Sequence, residues 1–410
     1  MKRYYVVLFI ILLIKPIFAQ GEAAVPFLEF QQSPLLLGAG WTGAAIPVKD
    51  ASGFYYNPAQ LGYFSRENNF SVFFMPQKTS WMPYFNIPSN FSSYSAAAGY
   101  NFKTSDDGLP LSIGIGYMHS KFDFGTRMIT LPGNPPRFNS YSTYDSFNCF
   151  SVGASYDYYL QFNLGFSIKS FTSNIGQNYE ATGTAYDLGA MITAPISKLL
   201  FDDSKFELGS NSFFKPKFDF TLGYSLTNLG RKISYIDPAQ SDPIPRTARL
   251  GYTFDFGLEL TSGLIKNLNV LEYSFTAEAE DILINRDDYG NSSYKNIFGD
   301  ISIGDNLIAL EGNSNVVVHR GHIFRLFDTI IIISGRRDGK SFDENGRESN
   351  GFGISTEGLF KLFNSTVDDP TIKYISSHFA LEYYNTNVFS SSPLETNLKG
   401  VILNYKGLKF

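Results

Sequence analysis

The sequence is poor in cysteine, in charge and in long apolar runs, and each shortage excludes a class of protein. The single Cys149 cannot form an internal disulfide, and charged residues make up 17% of the chain, against roughly 25% in ordinary soluble domains. Basic residues number 33 against 38 acidic ones and form no block, so nucleic-acid binding has no electrostatic basis. After residue 19 no apolar run approaches the roughly 20 residues that a transmembrane helix needs.

The first nineteen residues have the layout of a secretory signal peptide. Lys2 and Arg3 precede an apolar run from Tyr4 to Ile14, and Ala19 offers a small residue at the cleavage site. The alternative is an uncleaved anchor, but the apolar run is too short to span a bilayer. We therefore predict a signal peptide at 1–19 and an exported mature chain.

Apolar and polar residues alternate over long stretches of the mature chain. The segments 160–169, 218–227 and 271–280 each place Leu, Ile, Phe, Tyr or Ala at every second position, which gives a strand one apolar and one polar face. Such runs of nine or ten residues have the length of tilted membrane-crossing strands, whereas ordinary strands have about five or six. A large periplasmic sandwich or propeller is the alternative, since alternation alone does not distinguish them.

Fourteen such segments can be delimited, and the even number suits a bacterial barrel with both ends of its wall on the periplasmic side. We predict an all-β, transmembrane antiparallel β-barrel of about 14 strands over 67–410, with long loops on one side and short turns on the other. The final Phe410 resembles the terminal aromatic residue of outer-membrane barrels. The predicted strands lie near 69–76, 93–104, 110–121, 145–157, 160–172, 183–194, 218–228, 247–257, 269–282, 315–325, 328–337, 349–359, 373–385 and 398–410.

Residues 20–66 do not alternate and are rich in Gly and Ala. Asn57-Pro58 indicates a turn before a short helix, because proline suits the first helical turn. A compact segment of small residues ahead of a barrel can pack within its lumen. We therefore predict an N-terminal hatch over 20–66, and no further domain.

Four motifs in this segment carry a family resemblance. In order, Ala24–Leu28, Gly38–Gly40, Asp50–Ser52 and Asn57–Ala59 resemble the start of the PorV/PorQ family, outer-membrane proteins of type IX secretion. The last two motifs also resemble the hatch of FadL-type transporters of hydrophobic compounds. The chain departs from the family at Gly38–Gly43, where a Gly-Met-Gly-Gly type stretch is usual, which suggests a paralogue with altered cargo or no secretion role.

Further motifs extend the resemblance to PorV into the middle and the later part of the chain. They lie at 228–235, 242–245 and 249–252, and again at 327–338 and 351–354. The resemblance implies a 14-stranded FadL-like barrel with a hatch, in the bacterial outer membrane and in contact with its lipid. It also implies handling of secreted cargo, with the type IX translocon, an attachment complex and cargo sorting domains as partners.

The alternative function is FadL-like transport of a hydrophobic small molecule. For both functions we single out Asp50, Asn57, Pro58 and Ala59 as hatch or gating residues.

No catalytic site, metal site or cofactor is predicted. His319 and His322 stand three apart, which on a strand places them on opposite faces. Glu272, Glu278 and Glu280 share the polar, lumen-facing side of one strand. An outer-membrane hydrolase is a third hypothesis, but no nucleophile and base can be paired and no Gly-x-Ser-x-Gly or phosphate-loop motif occurs.

Overall fold

The computed structural model covers most of the chain after its first residues. The predicted signal peptide and Phe410 lie outside the described residues. The described residues are 23–80, 89–103, 109–131, 137–201, 205–209, 211–263, 265, 267–287, 291–339 and 347–408.

Fourteen antiparallel strands form one closed barrel, as predicted. Each strand pairs with its neighbours in the chain. The first and last strands close the wall, with Asn69 opposite Lys406 and Phe74 opposite Val401. Strands β1 to β14 are Asn69–Ser80, Asn90–Asn101, Leu111–Leu131, Arg137–Asp157, Gln161–Gly176, Tyr179–Ala194, Ser212–Gly230, Thr247–Thr261, Leu268–Ile282, Val316–Leu326, Ile330–Asp338, Glu348–Ser355, Phe379–Val388 and Thr396–Lys406.

Three short strands lie outside this wall. Phe206–Gly209 pairs with the start of β7, and Ile284–Arg286 pairs with Ser292–Tyr294 in a separate hairpin.

The apolar rows of the strands point outward and are exposed. On β5, Leu164 is 64% exposed while the neighbouring inward Ser167 is fully buried. An apolar outer surface that surrounds a closed barrel belongs in lipid, because water would not tolerate so large a patch. The periplasmic sandwich is therefore excluded, and the protein is a transmembrane barrel of the bacterial outer membrane, where such even-stranded barrels occur.

The two predicted strands at 349–359 and 373–385 are partly wrong. β12 ends at Ser355 and β13 begins at Phe379, and two helices lie between them, α4 (Glu357–Thr366) and α5 (Pro370–His378). The Asp369 carboxylate caps α5 by accepting hydrogen bonds from the backbone N–H groups of its first turn, and Pro370 suits its first position. The helix cap therefore outweighs the apparent alternation, and the connection between β12 and β13 is a helical hairpin rather than a short turn.

The gap left between the predicted strands at 110–121 and 145–157 is also largely wrong. β3 continues to Leu131 and β4 begins at Arg137, and residues 132–136 lie outside the described residues. Among the parts of the chain that are described, no helix is both long and apolar enough to cross a bilayer.

The described part of the connection between β9 and β10, residues 283–287 and 291–315, folds back against the outer wall. It contains a π-helix, Ile303–Ile308. Leu283 packs on Leu226 and Ala248, and Leu307 packs on the strand residue Val316. We call the described residues of this connection the outer loop.

Residues 23–68 lie inside the barrel, and we call them the N-terminal segment. Nearly all of their side chains are buried, and they pack against inward-facing residues of the wall. The short helix at Gln60–Phe64 follows the turn at Asn57-Pro58, as the sequence predicts. The segment contains the 3-10 turns Pro26–Glu29, Gly53–Tyr55 and Ser65–Glu67 and the helices α1 (Pro34–Gly38) and α2 (Gln60–Phe64). A further short helix, α3 (Ile196–Phe201), follows β6.

Candidate functional site

The N-terminal segment touches the wall backbone to backbone at glycines of the inward rows. A Cβ atom placed on Gly165 of β5 would lie 2.1 Å from the carbonyl carbon of Pro58, and one placed on Gly335 of β11 would lie 1.9 Å from the amide nitrogen of Gly40. No side-chain movement relieves such contacts, because both partners are main chain. The two glycines let the segment sit flush against opposite parts of the wall.

A buried cluster on β8 and β9 holds the first half of the segment. Glu278 accepts hydrogen bonds from the amides of Gly43 at 2.8 Å and Ala44 at 2.7 Å. The Arg249 guanidinium donates to the same carboxylate at 2.7 Å and to the carbonyl of Trp41 at 3.3 Å. Arg249 and Glu278 are almost wholly buried. We call this arrangement the carboxylate latch.

Two further side chains extend the carboxylate latch. Glu280 pairs with Arg249, and its carboxylate accepts a hydrogen bond from the His319 ring nitrogen Nε2 at 3.1 Å. The other ring nitrogen of His319 contacts the carbonyl of Gly40 at 2.7 Å. The predicted lumen-facing Glu278 thus binds the segment directly, and Glu280 acts on it through Arg249 and His319.

A second buried cluster, on the nearby strands β5 and β6, holds another part of the segment. Lys169 of β5 forms an ion pair with Asp187 of β6 at 2.9 Å and donates to the Asn228 side chain at 3.0 Å. Its ammonium group also lies 4.1 Å from the centre of the Tyr55 ring. Tyr55 in turn donates to the carbonyl of Leu28 at 2.9 Å. We call this arrangement the lysine latch.

Three of the four predicted gating residues lie together. The Asn57 side chain donates to the carbonyl of Ala44 at 2.6 Å and accepts from the amide of Ala59 at 3.0 Å. Pro58 sits against Gly165. This turn therefore connects the two halves of the segment to each other and to the wall.

Asp50, the fourth, lies elsewhere in the segment. Its carboxylate accepts from the amide and the hydroxyl of Ser52, each at 2.6 Å. Next to it, Ala51 bonds to the wall through the Ser71 and Ser95 hydroxyls, at 3.0 and 2.6 Å. A gating role for any of the four stays a prediction.

Aromatic side chains from the segment and the wall fill one end of the lumen. Phe30 contacts Trp41 with ring centres 4.9 Å apart, and the wall residues Phe91 and Phe122 are 4.5 Å apart. These rings are buried inside the barrel. In barrels that hold a water-filled channel, such inward positions carry polar side chains instead. We call this group the aromatic cluster: Phe27, Phe30, Trp41, Tyr55, Phe91, Phe122, Phe147 and Phe171.

A polar chamber of 160 Å³ occupies the opposite end, toward the rim where Asn69 and Lys406 pair. Segment and wall both line it, and its charges are largely paired with each other. Lys406 donates to Glu357 at 2.9 Å, and Lys217 lies 3.5 Å from Glu272.

A depression of 310 Å³ lies on the outer face of β4, β5 and β6. Outward polar side chains such as Ser146, Thr172 and Thr184 line it, together with Phe171 of the aromatic cluster. Within the described ranges, no group of three or more His, Cys, Asp or Glu could hold a metal ion.

Inspection of the sequence missed Lys169, Arg249 and the aromatic cluster. A signal existed, because Lys169 and Arg249 are charges at inward positions that otherwise carry small polar residues. Such a charge needs a buried partner. The partner is far away in the chain, so the spacing of residues in the sequence does not identify it.

Neither a protein-family model nor a curated protein matches the chain. Solved structures of barrels match along most of its length. The toluene transporter TodX of Pseudomonas putida is 10% identical, with a TM-score of 0.37 and coverage of 91% of this chain and 96% of that one. The toluene transporter TbuX of Ralstonia pickettii is 9% identical, with a TM-score of 0.33 and coverage of 92% and 98%.

The translocator domain of the autotransporter NalP of Neisseria meningitidis is 11% identical, with a TM-score of 0.32 and coverage of 83% and 87%. These identities and TM-scores are too low to say what this chain binds or carries.

Proposed function

We propose that this barrel transports apolar small molecules across the outer membrane and that the N-terminal segment is its movable hatch. The aromatic cluster is the observation that carries the proposal. A barrel that passes polar solutes has a polar, wet interior, whereas a site for apolar ligands is lined by aromatic and aliphatic side chains.

The cluster is built from two parts that can separate. Phe27 and Phe30 belong to the segment, whereas Phe122, Phe147 and Phe171 belong to the wall, and Phe27 contacts all three wall rings with centres 6.0 to 6.5 Å away. When the segment withdraws, an apolar ligand can replace its rings against the same wall surface and keep that surface away from water.

The resting state is closed, so transport requires the segment to move. The carboxylate latch resists this movement with hydrogen bonds to backbone carbonyl and amide groups of the segment. The Asn57 side chain donates to the wall carbonyl of Ala190 at 3.3 Å, and Lys169 of the lysine latch contacts the Tyr55 ring. Such bonds can be exchanged for others when the segment shifts. The polar chamber beneath the segment is the exit toward the periplasm.

Uptake of a labelled apolar compound tests this function. Cells of a porin-deficient bacterial host that express the protein should accumulate radiolabelled naphthalene faster than cells with the empty vector, with no gain for glucose. Phe147→Ala should raise the half-saturating naphthalene concentration by about tenfold, because it removes apolar contact in the pocket. Phe150→Ala is the matched control, since that ring lies on the outer face of the same strand.

Equal naphthalene uptake with and without the protein would overturn the proposal. So would a larger gain for glucose than for naphthalene, which would indicate a polar channel.

A second candidate is cargo handling in type IX secretion, the function implied by the resemblance to PorV. The outer loop favours it, because Ile297, Phe298, Ile303 and Ile308 are exposed on the outside of the barrel at 51% to 76%. A transporter of small molecules has no need of such a surface, whereas a cargo shuttle needs one for the translocon or the attachment complex. Ile308→Asp should then abolish co-purification of proteins with sorting domains from native membranes, and normal cargo display in a deletion strain would exclude this candidate.

A further inference from the structure

We propose that the helical hairpin α4–α5 lies in the headgroup layer of the periplasmic leaflet and anchors the rim of the barrel there. The occupant of its exposed face is phospholipid, at the boundary between headgroups and acyl chains.

One side of the hairpin is fixed to the rim of the barrel. Lys361 donates to the Asp328 carboxylate at 2.5 Å and to the carbonyl of Asn267 at 2.9 Å. The Glu357 carboxylate accepts from Lys406, the last residue of β14, at 2.9 Å. The polar side of α4 is thereby occupied by contacts within the protein.

The other side of the hairpin is apolar and exposed. Leu359, Leu362 and Phe363 follow the three- and four-residue spacing of one helix face, and Ile372 and Ile375 continue the surface on α5. These five side chains are 40% to 47% exposed. Exposed Leu, Ile and Phe side chains at such spacing typify helices that lie in a membrane surface.

The exposed face is continuous with the lipid-facing belt of the barrel. Tyr405 of β14 points outward, next to the lipid-facing Leu403. The Tyr374 hydroxyl of α5 lies 3.1 Å from the Tyr405 hydroxyl, and the Tyr405 ring also contacts His378 and Phe379. Aromatic residues of this kind mark the edge of the hydrocarbon layer in outer-membrane barrels, so α5 lies where the belt meets the headgroups.

This continuity is why lipid, rather than another protein, is the expected occupant. The apolar face of the hairpin begins at the edge of the lipid-facing belt. Because Lys361 and Glu357 fix the hairpin to the rim, this face stays at the membrane surface. Amphipathic helices in this position bury their apolar face about 5–10 Å into the boundary between headgroups and acyl chains.

Fluorescence quenching by lipid tests the proposal on the full chain in phospholipid vesicles. In a Cys149→Ser background, Leu362→Cys labelled with the fluorophore NBD should be strongly quenched by lipid carrying a spin label at acyl carbon 5. A label at carbon 12 should quench it less, because the face is shallow. Asn364→Cys is the matched control, since Asn364 is an exposed residue of the same helix outside the apolar stripe.

Quenching at 362 that is severalfold stronger than at 364, and stronger from the shallow label, is the expected result. Equal quenching at the two positions, or none in vesicles of pure lipid, would overturn the proposal and leave the face to a protein partner. Stronger quenching from the deep label would also overturn it, since the hairpin would then not be interfacial. The shift in gel mobility on heating confirms that each labelled protein is a folded barrel.

Discussion

Glu278→Ala should lower the free energy of unfolding by about 3–5 kcal/mol, the usual effect of removing one partner of a buried ion pair. The substitution leaves Arg249 with one carboxylate fewer inside the barrel. It also leaves the amides of Gly43 and Ala44 without their acceptor, and unpaired buried amides carry their own penalty. Thermal unfolding in detergent, followed by circular dichroism, measures the loss.

Two controls separate the latch from a general effect of removing charge. Glu278→Gln keeps an oxygen for the two amides and should lose less stability than Glu278→Ala. Glu348→Ala removes an exposed carboxylate at the start of β12 and should change stability by less than about 0.5 kcal/mol. A wild-type melting temperature for Glu278→Ala would show that the carboxylate latch does not hold the segment.

Gly335→Val and Gly165→Val should each unseat the N-terminal segment from the wall. The new side chain would collide with the backbone of Gly40 or Pro58, and overpacking of this kind typically costs about 1–3 kcal/mol. A penalty of that size shifts the balance between seated and unseated segment by roughly 5- to 150-fold. The barrel wall itself should remain, because its strand pairing does not depend on the segment.

Release of a small polar dye from proteoliposomes measures the open fraction. Both variants should release dye much faster than the wild-type protein, with barrel mobility on gels retained. Gly304→Val is the matched control, because a Cβ atom there has open space around it. Wild-type leakage from both wall variants would mean that the segment does not seal the lumen.

The barrel could be predicted from sequence because its signal is local. A strand in lipid has apolar and polar residues at alternate positions, as at 160–169. Fourteen such runs were enough to give the correct strand number. The helical hairpin was missed because 373–385 also alternates over a short stretch. There the decisive feature is the single residue Asp369, whose cap starts a helix despite the alternating pattern that follows it.

The interior could be predicted only in part. The Gly- and Ala-rich composition of residues 20–66 suits a segment that packs closely, and the structure places it in the lumen. Its partners were not predictable, because Glu278 meets Gly43 and Lys169 meets Tyr55 only after the barrel has closed. Contacts between positions so far apart in the chain produce no recognisable spacing in the sequence.

Transport by movement of the segment can be tested by tying the segment to the wall. A Cβ atom on Gly38 would lie 3.2 and 3.3 Å from the two γ atoms of Thr386 and 2.9 Å from Cγ2 of Ile333, which must shift slightly. The closeness to the Thr386 γ atoms suits a disulfide between Gly38→Cys and Thr386→Cys. The control pair, Ser33→Cys and Ser52→Cys, joins two residues within the segment whose hydroxyls are 2.9 Å apart. Both pairs are made in a Cys149→Ser background.

Naphthalene uptake is then measured before and after oxidation and again after a reductant. The Gly38–Thr386 pair should lose uptake on oxidation and recover it on reduction, while the Ser33–Ser52 pair should transport in both states. Unchanged uptake through the oxidised Gly38–Thr386 pair would contradict a moving hatch.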